Sequence, residues 1–186
     1  LSAELKAQGI RLVPIIDAGV RIDPNDPTCT EGLEKGYFCK KADGTPFVAA
    51  VWPGKAYFAD FLRPEVREWF GHKYKALTDC GIEGFWNHMN EPSLFYSPER
   101  LRAFLNDMAA LREKDNIEQE EFFPRVVGGA MGLMNSPADY ASFYHEVDGQ
   151  KVRHDQVHNL YGGSMTRAAG EAFVDLRPGQ RTLLYS

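Results

Sequence analysis

Residues 84–95 read GFWNHMNEPSLF, and this stretch decides how the chain is expected to fold. An apolar approach formed by Ile82, Phe85 and Trp86 passes directly into a polar cluster that closes at Glu91-Pro92. In parallel α/β barrels the buried part of a strand ends in this way, and the carboxyl ends of the strands carry the chemistry. The stretch therefore predicts a barrel strand whose polar end belongs to a functional site.

Two further segments have the short, apolar character of buried parallel strands. Residues 11–16 end at Asp17, and residues 181–186 lie at the end of the chain. We expect these two runs and the central one to form adjacent parallel strands. Since the carboxyl ends of parallel strands meet at one edge, Asp17 and His88 should lie at the same mouth.

Helical patterns alternate with the three apolar runs. Residues 64–80 have Pro at the first turn, apolar residues at spacings of three and four, and Gly81 as a stop. Residues 97–114 begin with a Ser cap before Pro. A third helix is predicted from about 155 to 173, although Gly162-Gly163 costs about 1 kcal/mol per Gly relative to Ala. This alternation indicates α/β architecture.

The connections between these elements are long. About 46 residues, rich in Gly, Pro and Asp, separate Asp17 from Pro64, and a second long stretch separates the second helix from the third. We expect long βα loops here, since long stretches without regular structure in a compact domain are usually either functional or mispredicted.

Composition narrows the possible partners. The chain has 186 residues, 44% of them hydrophobic, which suits one domain with a sizeable core. A net charge of -5 and the lack of a dense basic stretch disfavour nucleic acid as a partner. No apolar run approaches the roughly 20 residues of a membrane span, so no membrane association is expected.

The three cysteines and the start of the chain are relevant to the cellular compartment of the protein. The cysteines show no CxxC spacing, so we expect reduced thiols in a cytoplasmic protein, with neither a disulfide framework nor a zinc site. The chain opens at Leu1 inside a helix-like segment, so we expect a piece of a longer protein. Whether a targeting signal precedes Leu1 in the longer protein is left open.

The stretch at residues 84–95 resembles the W-x-D-M-N-E-P signature of glycoside hydrolase family 31, the α-glucosidase and α-xylosidase family. The resemblance extends over most of the chain. It implies that residues 1–186 are one fragment of a catalytic (β/α)8 barrel, roughly strands three to five with long βα loops. On this interpretation, the fragment lacks the remaining barrel strands, the acid-base residue and the flanking β domains, which would be its partners in the complete protein.

The resemblance also implies an activity, which is retaining hydrolysis of terminal α-linked glucosides or oligosaccharides. The signature Asp is the family's nucleophile, and His88 stands at that position. A retaining glycosidase needs two carboxyl groups about 5 Å apart, and an imidazole offers no negative charge to an oxocarbenium-like transition state. We therefore expect this form to be inactive. A carbohydrate-binding pseudoenzyme of the same fold is the alternative.

Other site residues follow from the same resemblance. Glu91 is expected to support the nucleophile's strand end rather than to attack. Asp17 is expected to accept bonds from sugar hydroxyls, with a cap for the following turn as the alternative. The predicted substrate-binding residues are Asp17, Ile15, Trp52, Trp86, Met89, Ser93 and Phe95. No cofactor is implied.

Two more histidines raise the question of a metal. His154 and His158 lie four residues apart, and His88 could complete a set of three. No third strong ligand follows at helical spacing, so no metal site is predicted. His158 and Tyr161 belong to the string VHNLYG, also similar to the family, for which a structural role is expected.

Overall fold

The computed structural model describes the whole chain, residues 1–186, as an alternation of helices and short strands. The helices are α1 (Ser2–Ala7), α2 (Pro27–Glu34), α3 (Pro64–Lys73), α4 (Lys75–Thr78), α5 (Pro98–Arg112), α6 (Gln119–Glu121), α7 (Gly128–Met131), α8 (Pro137–Tyr140) and α9 (His154–Leu176), with a π-helical segment at Phe122–Val127. The strands are β1 (Ile15–Asp17), β2 (Gly19–Arg21), β3 (Lys40–Lys41), β4 (Val48–Val51), β5 (Gly54–Phe58), β6 (Gly84–His88), β7 (Phe143–Val147), β8 (Gln150–Arg153) and β9 (Leu183–Tyr185). None of the helices combines the length and apolar character needed to cross a bilayer.

The centre of the fold is a parallel sheet in the order β1-β6-β9. Asp17 pairs in register with His88, and Trp86 pairs with both Ile15 and Tyr185. The prediction of three adjacent parallel strands is confirmed, with Asp17 and His88 at one edge. The outer strands are shorter than the predicted runs, three residues each, and no barrel is closed.

Helices α3 and α9 cover one face of this sheet. Phe85 of β6 stacks on Phe173 of α9 with ring centroids 5.2 Å apart, and Tyr74 lies edge-on to both rings. The two helices approach closely because Gly71 has no side chain. A Cβ built there would lie 2.3 Å from the carbonyl oxygen of Ala168.

The opposite face of the sheet is open. Successive side chains of a strand point to opposite faces, so Trp86 and His88 lie on the other side from Phe85. Ile15 and Asp17, their register partners, share that face. Ile15 is 52% exposed, whereas Phe85 is fully buried.

The long connection after β1 is not the loop that was expected. It contains α2, capped by the Asp26 carboxylate, and an antiparallel sheet in the order β2-β5-β4. Ala49, Ala56 and Phe58 are fully buried in it. Small residues allow such tight packing but carry little strand signal, so composition suggested a loop.

The second long connection is also structured. Strands β7 and β8 form a hairpin, and β3 from the first connection pairs with β7. Phe47 and Phe143 stack at 4.2 Å between ring centroids and join the two connections. The two segments therefore form one packed layer beyond the parallel sheet.

Helix α9 is longer than predicted and runs without a break through Gly162-Gly163. A Cβ at Gly162 would lie 2.9 Å from the carbonyl oxygen of Asn90. That glycine therefore lets the helix approach the turn after β6, which offsets its low helix propensity.

Candidate active site

Asp17 and His88, both predicted site residues, lie side by side at the carboxyl edge of the parallel sheet. Asp17 Oδ1 lies 3.2 Å from Nδ1 of His88. The two side chains are 22% and 31% exposed, so both reach solvent on the open face. The ring of Trp86 lies 4.7 Å from the His88 ring and forms one wall.

The signature turn, residues 89–94, follows β6 directly. Met89 adopts a left-handed φ of 51°, and the peptide bond between Glu91 and Pro92 is cis. The Asn90 side chain donates to Gly162 O at 3.3 Å and to the Ser186 hydroxyl at 2.9 Å. Glu91 is exposed and its carboxylate forms no hydrogen bond, so its supporting role stays a prediction.

Asn135 holds the signature turn through hydrogen bonds that were not predicted from the sequence, and we call this contact the Asn135 clamp. The Leu94 N–H donates to Asn135 Oδ1 at 2.7 Å, and Leu94 O accepts from Asn135 N at 2.9 Å. The Ser93 hydroxyl also lies 3.2 Å from Asn135 Oδ1. Asn135 has a φ of 50°, a conformation that Asn tolerates, and the Asn135-Ser136-Pro137 turn was the available signal.

Tyr140 completes this clamp. Its hydroxyl lies 2.9 Å from the carbonyl oxygen of Pro92 and donates to it. Burial, and then the charges of Glu91 and Asp139, raise the pKa of Tyr140 to about 12. The hydroxyl therefore keeps its proton at neutral pH and remains a donor to the signature turn.

Trp52 lies with Phe95 beside the signature turn. Trp52 occupies the turn between β4 and β5, is 69% exposed, and meets the Phe95 ring edge-on at 5.0 Å. Backbone bonds from Ala50 N to Tyr96 O and from Phe95 N to Ala50 O hold the hairpin against this segment. No ring contact joins Trp52 to His88, so the predicted residues fall into two groups.

The first group is the sheet-edge cluster of Ile15, Asp17, Trp86 and His88. The second contains Trp52 and Phe95, next to the Asn135 clamp that holds Ser93. Met89 links the two, since it is the residue at which the chain leaves β6.

The three histidines considered as metal ligands, His88, His154 and His158, do not form one cluster. His88 bonds to Asp17, whereas His154 Nε2 lies 2.8 Å from His158 Nδ1. His145, which sequence reasoning missed, lies 2.9 Å from His154 through its Nε2. It is also 2.6 Å from Asp60 through Nδ1.

Cys39, Asp60 and His145 have ligand-type atoms within 4.8 Å of one another. The 2.6 Å between Nδ1 and Oδ1 is a hydrogen-bond distance, shorter than two ligands keep around a zinc ion. Burial raises the pKa of the Cys39 thiol well above its ordinary value, and its sulfur lies 3.7 Å from Ala59 O as a donor. This donor set fits a hydrogen-bonded core better than a metal site.

His154 predicts a loss of stability in acid. Burial first, then the charges of His145 and His158, lower its pKa from 6.5 to about 3. Between these values the unfolded chain binds a proton that the folded protein does not, so the free energy of unfolding falls as pH falls below 6.5. At pH 5 we expect a loss of about 2 kcal/mol, since each pKa unit is worth about 1.4 kcal/mol.

Urea unfolding of the full-length protein at neutral pH and at pH 5 measures this loss. A His154→Gln variant should lose less stability over the same interval. His72→Gln, at an exposed position, should behave like the unsubstituted protein. Equal losses in all three proteins would contradict the assignment.

Comparisons with known proteins agree with this architecture. The family model described as the glycosyl hydrolases family 31 TIM-barrel domain matches residues 1–186. Alpha-glucosidase 2 of Bacillus thermoamyloliquefaciens is 35% identical over 184 residues, which are 99% of this chain and 19% of that protein. An alpha-glucosidase of Saccharolobus solfataricus is 29% identical over 158 residues, or 85% of this chain and 20% of the relative.

A solved structure shows the same arrangement. The glucosidase II alpha subunit, bound to Glc1Man2, superimposes with a TM-score of 0.67 and 27% identity, covering 98% of this chain and 16% of that one. This chain thus spans about a fifth or less of the proteins it resembles.

Proposed function

The chain belongs to glycoside hydrolase family 31, and on that premise we propose that it forms the central part of an α-glucosidase-like catalytic barrel. Strands β1, β6 and β9 would be about strands three, four and five. Their sequential order in the parallel sheet supports three consecutive barrel strands, because consecutive strands of such a barrel are neighbours. The numbers three to five rest on the resemblance to the family. The open face of the sheet would then be the barrel interior.

The observation that carries the proposal is the pair of Asp17 and His88 at the carboxyl edge. His88 would occupy the nucleophile position, where the family has Asp. The full-length protein would bind terminal α-linked glucosides, by analogy with relatives named alpha-glucosidases, and hydrolyse them slowly or not at all. The imidazole at this one position supports an inactive form of the enzyme, and a carbohydrate-binding pseudoenzyme of the same fold is the alternative.

The sugar would be held by the remaining predicted residues. The Asp17 carboxylate can accept bonds from hydroxyl groups, and the exposed Trp52 face suits the C–H patch of a pyranose. The proposed binding set is Ile15, Asp17, Trp52, Trp86, Met89, Ser93 and Phe95, with Glu91 supporting.

Calorimetric titration of the full-length protein with maltose, alongside a hydrolysis assay, tests this function. We expect binding with little or no release of glucose. Absence of binding by a folded full-length protein would refute a sugar-binding site.

Asp17→Asn should weaken maltose binding by about 10- to 100-fold. A hydrogen bond to a charged group contributes about 1.5–3 kcal/mol, and each 1.4 kcal/mol is a factor of ten in Kd. Asp115→Asn removes the same charge at an exposed position without a hydrogen bond, so it should leave Kd unchanged. Equal affinities for the two variants would place Asp17 outside the sugar site.

A further inference from the structure

Four side chains form a continuous hydrogen-bonded line through the buried layer beyond the sheet. Asp60 Oδ1 lies 2.6 Å from His145 Nδ1, His145 Nε2 lies 2.9 Å from His154 Nδ1, and His154 Nε2 lies 2.8 Å from His158 Nδ1. Asp60, His145 and His154 are buried, and His158 is half-buried. We call these four residues the imidazole chain.

The donor-to-acceptor direction of the hydrogen bonds in the imidazole chain depends on Asp60, at its buried end. The other carboxylate oxygen of Asp60 accepts the backbone N–H of Glu146 at 2.8 Å. With Asp60 as a carboxylate, Oδ1 is an acceptor and His145 Nδ1–H is the donor of this hydrogen bond.

The position of the proton on each imidazole then determines its position on the next. With a neutral His145, the single N–H is the one on Nδ1, so Nε2 accepts a hydrogen bond from Nδ1–H of His154. The same step places the proton of His158 on Nδ1. The strongly lowered pKa of His154 agrees with a neutral ring in the middle of the line.

The far end of the imidazole chain lies beside the signature turn. The ring of His158 is 4.7 Å from the ring of Tyr140, whose hydroxyl holds the Pro92 carbonyl. Nε2 of His158 has no partner within the chain. This nitrogen can therefore form a hydrogen bond with a ligand or with a neighbouring segment.

We infer that Asp60 is a positioning residue that acts through His145 and His154 to hold His158 in the Nδ1–H tautomer. The half-buried end of the imidazole chain then presents a lone pair and binds a hydroxyl or ammonium donor rather than a carboxylate or carbonyl acceptor. This inference does not rest on the proposed function, because it concerns the proton positions of the imidazole chain and the type of hydrogen-bonding group that His158 can bind, whatever the substrate.

Neutron diffraction from deuterium-exchanged crystals of the full-length protein at neutral pH tests the unsubstituted protein. Deuterium is expected on Nδ1 of all three histidines of the imidazole chain and on neither oxygen of Asp60. Deuterium on Asp60 Oδ1, an Nε2–H tautomer in any of the three, or a metal ion among Cys39, Asp60 and His145 would overturn the inference.

Asp60→Asn provides the sharper test. The Glu146 N–H requires the amide oxygen, so the amide NH2 must face His145 and donate to its Nδ1. All three tautomers should then reverse, and Nε2 of His158 should become a donor. Histidine-labelled nitrogen NMR of the full-length protein reports this change.

His72 and His88 are internal controls, since neither belongs to the imidazole chain, and their tautomers should not change. Asp175→Asn, at an exposed position on α9, should leave all five histidines unchanged. A folded Asp60→Asn protein that keeps the original tautomers would overturn the inference. If this variant does not fold, the neutron result on the unsubstituted protein decides alone.

Discussion

Hydrolysis of a nitrophenyl α-glucoside by a full-length protein that carries the acid-base residue is expected to rise by several orders of magnitude when His88 is replaced by Asp. The change supplies a nucleophilic carboxylate and the negative charge that stabilises an oxocarbenium-like transition state. Each tenfold gain in rate corresponds to about 1.4 kcal/mol of barrier. The released glucose should keep the α configuration, as a retaining mechanism requires.

His88→Asn is the matched control for this prediction. It has nearly the size of Asp without the charge, so it should stay as inactive as the His88 protein. Hydrolysis by the His88 protein at the rate of the His88→Asp variant would mean that another residue is the nucleophile. Sugar binding without hydrolysis in the His88→Asp variant would indicate that the acid-base group has also been lost, which favours the pseudoenzyme.

The second large effect is expected on stability. Gly71→Val places a Cβ 2.3 Å from the backbone oxygen of Ala168, and a backbone atom cannot rotate away. Helices α3 and α9 must then separate over the Phe85 face of the sheet. We expect a loss of about 3 kcal/mol or more in the free energy of unfolding.

Gly163→Val controls for the presence of a branched residue in a helix. No atom lies within 4 Å of a Cβ at Gly163, so this variant should unfold at nearly the same denaturant concentration as the unsubstituted protein. Denaturant unfolding of the full-length proteins compares the two. A Gly71→Val protein as stable as the Gly163→Val protein would show that α3 and α9 can move apart at little cost in free energy.

The sheet and its edge were predictable because their signals are local. An apolar run that ends in polar residues identifies both β1 and β6, and the common edge of parallel strands brings Asp17 to His88. Helix α5 was equally clear, since Ser97 caps it and its hydroxyl accepts from Arg100 N.

The antiparallel layer was not predictable from such signals. Strand β4 is four apolar residues, two of them Ala, without the alternation that marks a half-buried strand. Its pairing depends on a hairpin turn at Trp52 and on contacts with the segment after the signature turn. Sequence patterns of single segments carry no information on such pairings.

The imidazole chain and the Asn135 clamp were hidden for a related reason. Asp60 and His145 meet across 85 positions of the sequence, and Asn135 reaches Leu94 across 41. Neither pair belongs to a recognisable motif. Only the fold brings these groups together, whereas His154 and His158 could be noticed from their helical spacing.

The contact between α3 and α9 also has a consequence for how the protein is made. Its two halves are separated by about a hundred residues, so the contact cannot close until α9 has been synthesised. While a ribosome synthesises the intervening segments, the apolar side of α3 has no cover. The nascent chain thus passes through a stage in which β1 and β6 can pair, while α9 and the third strand, β9, have not yet been made.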